Sequence, residues 1–183
     1  MERRAADKAL STHEREQAAD RAIEQRRRLI EMARDEGSVL TGRLIDQAAA
    51  VLARLGREGS DSAAIFGIPL AGQRASAQRA ATEAATDLDR AAQLTDEASR
   101  RLVSQGVAPE DPRAATVEQD RTVRIPFYRA RAEVILASLS TGSDRTRHAE
   151  LAYSAISRLA LANAGPEASR RVCLAAALLL RKD

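Results

Sequence analysis

Between Arg74 and Gln105 the apolar and small positions fall at Ala77, Ala81, Ala84, Leu88, Ala91, Thr95, Ala98 and Leu102. The steps alternate between four and three residues. That is a one-sided seam at the coiled-coil period, and it predicts a long helix. Six of the eight seam residues are Ala or Thr, so a neighbouring helix can approach closely but gains little area from each contact. A buried Leu contributes roughly 1.5–3 kcal/mol, and Ala clearly less. Larger side chains must therefore come from the flanking segments, and the pattern marks 74–105 as the inner helix against which the others pack.

Residues 1–36 read as a long charged helix with a thin stripe of Ala19, Ala22, Ile23, Leu29, Ile30 and Ala33. Its first dozen residues carry little to bury and are expected to fray. Gly37 reads as a helix stop and Ser38 as a cap for the next helix, 39–55. There Leu40, Leu44, Ala48, Val51 and Leu55 form one stripe, thickened by Ile45 and Leu52. These two helices are expected to form an antiparallel hairpin over 1–56. Residues 57–73 are a Gly- and Pro-punctuated loop with an apolar centre, Ile65, Phe66, Ile68 and Leu70. Such a centre is either a lid over the core or a docking surface.

Gly106, Pro109 and Pro112 mark a break after the inner helix. Thr116 and Gln119 have capping-box spacing. Pro126 either kinks a helix or opens a new one, and the latter is expected. Phe127, Ala130, Val134 and Ala137 then line one face, with Ile135 and Leu139 beside them. A turn at Thr141–Asp144 leads to a helix over 145–164, with Ala149, Ala152, Tyr153, Ile156, Leu159 and Ala160 inward. Gly165 and Pro166 separate it from a last helix that is apolar nearly all round from Val172 to Leu180. A helix of that kind is sandwiched between others or covered by a second subunit. At nine residues this run is well short of the roughly 20 that a membrane span needs.

Two segments of the C-terminal part are alike at an offset of 40 residues: Arg131 to Leu139 and Arg171 to Leu179. With one helix between them, they resemble degenerate tetratricopeptide-like helical hairpins. The resemblance implies stacked hairpins and a peptide or protein partner. The expected architecture is one all-α domain of five or six helices in antiparallel hairpins, as an irregular bundle or a short tetratricopeptide-like stack. Its parts are 1–56, 74–105 and 118–183.

Composition narrows the chemistry. The chain has 183 residues, 2% of them aromatic and none Trp, so a deep aromatic-lined pocket is not expected. The basic residues are 27 Arg and 2 Lys, nearly balanced by acids at a net charge of +3. Arg forks suit phosphate, but an even interleaving with acids favours solvated helix faces. The lone Cys173 cannot form an intramolecular disulfide. With no apolar leader at the start, a cytoplasmic protein is the expectation. His13 and His148 lie on different helices, and no spacing of His, Cys or carboxylates indicates a metal site or a catalytic group. No cofactor is expected.

Two functional classes remain. The first is a non-catalytic interaction or assembly protein, binding a protein partner or itself through Ile65, Phe66, Ile68, Leu70, Leu174 and Leu178. The alternative is nucleic-acid binding through Arg121, Arg124, Tyr128 and Arg131. Steps of three, four and three would place those four on one helical face, where guanidinia hold phosphates and a ring stacks on a base.

Overall fold

The computed structural model describes residues 12–32, 37–55, 74–161 and 167–180, and among them there is no strand. The fold is all-α. Helix α1 spans Thr12–Met32, α2 Gly37–Leu55, and α3 Arg74–Ser104. A short α4, Pro112–Gln119, runs through a π-helical turn, Asp120–Arg124, into α5, Ile125–Leu139. Helices α6, Gly142–Leu161, and α7, Glu167–Leu180, follow.

Several of these starts and stops have a local cause. Helix α2 begins at Gly37, one residue before the expected cap, Ser38. Gly106 takes a left-handed φ of 67° just past α3. There Val107 N–H donates to the Leu102 carbonyl and Gly106 N–H to that of Val103, the paired bonds of a Schellman end. Helix α4 is capped by Asp111, whose carboxylate accepts from the Arg113 N–H at 2.8 Å, with Pro112 in the first turn. This replaces the capping box expected at Thr116, whose hydroxyl instead donates to the Pro112 carbonyl at 2.8 Å. Asp-Pro is itself a start signal, because proline's missing N–H falls where none is needed.

Pro126 neither breaks nor sharply restarts the chain. It sits in the first turn of α5. The turn before it is wound wide, with the Ile125 N–H donating five residues back to Asp120. A π-turn relieves the clash that proline would otherwise make with the carbonyl four residues earlier.

The buried residues form two cores. In the first, the α2 stripe of Leu40, Leu44, Ile45, Ala48, Val51, Leu52 and Leu55 meets the α3 seam and one side of α5. The seam is buried from Ala77 to Thr95, and its last members, Ala98 and Leu102, are only half-buried. The second core joins Ala130 and Val134 of α5 to Ala152, Ile156 and Leu159 of α6 and Val172, Ala175 and Ala176 of α7.

Helix α5 thus belongs to both cores. Ile125, Ala132, Ile135 and Leu136 face the first, and Ala130 and Val134 face the second. It is the inner helix of the fold, a role the Ala seam assigned to α3. Helix α3 buries one stripe and keeps its opposite face wet. Tyr153, expected inward on α6, is exposed because it lies beyond the edge of the stripe that α5 and α7 cover.

Leu88 is the one fully buried large residue in an Ala-dominated seam, so its cavity cannot be closed by small neighbours. Leu88→Ala is expected to cost about 3 kcal/mol. Urea denaturation would show it as a lower midpoint at unchanged slope.

Candidate functional site

Arginine ties the helices together. Arg54 on α2 reaches Asp20 on α1 at 3.0 Å, and Arg27 on α1 reaches Glu83 on α3 at 2.6 Å. Arg124 takes Asp120 on its own helix at 2.8 Å and Asp46 on α2 at 2.9 Å. Arg129 on α5 reaches Asp89 on α3 at 3.1 Å. A planar fork with five N–H donors can serve two carboxylates at once, which an ammonium does less well. Much of the Arg bias in this chain is spent on contacts between helices.

The deepest charge among the described residues is Glu133 on α5, whose side chain is 3% exposed. One oxygen, Oε1, accepts from Arg129 Nη1 at 2.8 Å, and the other, Oε2, lies 2.6 Å from His148 Nδ1 on α6. Since Arg129 also holds Asp89, a chain of contacts runs from α3 through α5 to α6. Glu133 faces neither apolar core. It sits on the flank between them and joins them. His148, read from sequence as an isolated surface residue, is half-buried and held by this carboxylate. An imidazole that meets a carboxylate through Nδ1 carries its proton there and turns Nε2 away. No sequence spacing connects residues 15 apart across a turn, and only the antiparallel packing of α5 on α6 brings them together.

The four residues of the proposed nucleic-acid face do not form one open surface. The π-turn fits an extra residue into the winding between Arg121 and Arg124 and breaks the three-four-three register. Arg121 is exposed and paired with Glu118 at 2.9 Å. Arg124 faces α2 through Asp46, and Tyr128 packs against the first core with its ring centroid 5.1 Å from that of Phe127, edge to face. Arg131 is half-buried, and desolvation lowers its pKa from the ordinary Arg value, with Tyr128 opposing the shift.

Of the expected docking residues, Ile65, Phe66, Ile68 and Leu70 lie outside the described residues. Leu174 and Leu178 stand one turn apart on the outer face of α7, 57% and 49% exposed. They oppose Val172, Ala175 and Ala176, which face the second core. Cys173 is half-buried between the two faces, and burial raises its thiol pKa.

A cleft of about 710 Å³ opens where α3 runs past the start of α2. Its apolar wall is Leu94, Ala98 and Leu102 of α3 with Val117 of α4. Thr41, Thr95 and Asp120, all buried, also line it. Arg101, Gln105 and Arg113 line its exposed end. No signal in the sequence marks this cleft, since Ala98 and Leu102 read there as ordinary members of the seam. Among the described residues, no group of three or more His, Cys, Asp or Glu could hold a metal ion, and no helix is long and apolar enough to cross a membrane.

No protein family, characterised protein or solved structure matches the chain.

Two outcomes follow from the ion pairs. Glu133→Gln removes the charge that both Arg129 and His148 meet, and is expected to cost about 2 kcal/mol in thermal denaturation. A double-mutant cycle with His148→Ala should give a coupling energy above about 0.5 kcal/mol. At the mouth of the cleft, the Arg113 side chain and N–H hold the Asp111 carboxyl at a pKa of about 2. Because this folded value lies below the ordinary one of about 4, the cap contributes fully above pH 4 and is lost as pH falls through about 2. A carbon-detected NMR titration should place the Asp111 midpoint there, and Arg113→Ala should return it towards 4.

Proposed function

We propose that the protein is a non-catalytic interaction or assembly module, and that the outer face of α7 is where it receives an apolar helix of a protein partner or of a second copy. The carrying observation is the exposure of Leu174 and Leu178 on a helix whose opposite face already closes a core. Adjacent turns of Leu on one face are the anchors by which a helix is recognised in a groove or a two-helix contact.

The likeness to stacked helical hairpins belongs to the same proposal. Its support is that the two similar segments, on α5 and α7, meet in one core, through Val134 of the first and Val172, Ala175 and Ala176 of the second. In such stacks an outer helix face is left for a partner or a further hairpin. A cytoplasmic setting is part of the proposal. Nucleic-acid binding through the 121–131 face draws little support from the geometry, since two of its three guanidinia already meet carboxylates.

The test is a concentration series by sedimentation equilibrium on the wild type and on Leu174→Glu/Leu178→Glu, with affinity purification of each. The wild type should self-associate or retain a stoichiometric partner. The variant should lose that association at unchanged helical circular dichroism, because neither side chain is core. A wild type that stays monomeric and partner-free, indistinguishable from the variant, sinks the reading.

A further inference from the structure

We infer that the cleft between α2, α3 and α4 is a binding site for a small amphiphile with an anionic head, such as a medium-chain carboxylate. Three independent features lead there.

The first is packing. The α3 seam continues in register through Ala98 and Leu102, yet these residues are only half-buried, because α2 gives no cover beyond its start and α4 stands in its place. Helix α4 contains no buried residue at all. Val117 is turned to the cleft and half-buried over it. An eight-residue helix that packs nothing tightly, next to an apolar wall, is a helix held at a distance. The volume of about 710 Å³ between them falls inside the range of roughly 300–1,000 Å³ typical of small-molecule sites.

The second is the order of chemistry along the cleft. Thr41, Thr95 and Asp120 are buried, the middle is lined by Leu94, Ala98, Leu102 and Val117, and Arg101 and Arg113 are exposed on walls from different helices. Arg101 has one loose contact, 3.8 Å to Glu97, between side chains that are 73% and 50% exposed. A pair of that kind is worth little, so an incoming anion displaces it easily. Arg113 spends Nε and one Nη2 bond on Asp111, and its Nη1 remains available as a donor. Glu97 also lines this end beside Arg101, and both guanidinia keep N–H donors beyond their carboxylate contacts; those donors match an anionic head, and the apolar wall matches its chain.

The third is the backbone. The π-turn that carries Asp120 into the cleft lining begins at that residue. Single π-turns inside α-helices are frequent at functional sites, where they re-aim a side chain. Arg124 Nη1 holds Asp120 at 2.8 Å, so the carboxylate is placed by the protein before any ligand arrives.

The proposal is independent of the α7 contact surface, and its test keeps the two apart. Sodium dodecanoate, below its micelle concentration, is titrated into the full chain by isothermal calorimetry. One molecule per chain should bind, with dodecanol binding at least tenfold more weakly. Ala98→Trp fills the cleft and should abolish binding; it also installs the only Trp of the protein, so its emission reports whether the cleft is filled. Arg101→Glu/Arg113→Glu changes two exposed side chains, should keep the helical circular dichroism of the wild type, and should weaken dodecanoate tenfold or more while leaving dodecanol unchanged. Leu174→Glu/Leu178→Glu should bind as the wild type does. Absence of binding, equal affinity for dodecanol, or affinity unchanged by the Arg pair would each overturn the proposal. So would a loss of binding confined to the α7 variant.

Discussion

Helix α5 is wetted on neither broad side, and that constraint organises the molecule. A helix covered on two sides has no wet face on which to keep a charge, yet Glu133 lies in its middle. Placing a carboxylate there is costly unless its oxygens are matched by donors. Arg129 from the same helix and His148 from the next supply them. Apolar contact alone would let two cores slide along their shared helix, since dispersion has little directional preference. A hydrogen-bonded charge fixes the axial position of α6 on α5, and through Arg129 and Asp89 that of α3 as well.

The same economy explains the unusual composition. An Ala-lined seam draws helices close, and each contact buries little area. Four interhelical ion pairs, all through Arg, run along the described bundle. Exposed pairs are worth little individually. Their value here is register, since each joins a specific residue on one helix to a specific residue on another. A bias that composition alone assigns to phosphate binding or to solvated faces is better accounted for as stitching.

The two surfaces with functional promise arise at the edges of this packing. The cleft exists because α3 is longer than the helix it packs against. The exposed Leu pair exists because α7 is apolar beyond the face that α5 and α6 can cover. Both are places where apolar residues continue past their intramolecular partners, and that surplus is the physical meaning of a recognition surface in a chain so poor in aromatic anchors.

Much of the architecture was legible along the chain. The period of apolar positions determined the all-α class, the α2 stripe and the buried part of the α3 seam, because helical periodicity is a local property. Gly106 and the Asp111–Pro112 step likewise encode their own cap geometry. Tertiary structure decided the rest. Which helix is innermost depends on how many neighbours each acquires, and α5 gained two cores where α3 gained one. The π-turn at Asp120–Arg124 accompanies Pro126 inside a continuous helix, and it moved the Arg face out of register. The meeting of Glu133 with His148, and the cleft beyond the end of the α2 contact, depend on the relative lengths and offsets of packed helices. Those are relations between distant segments, and no window of sequence contains them.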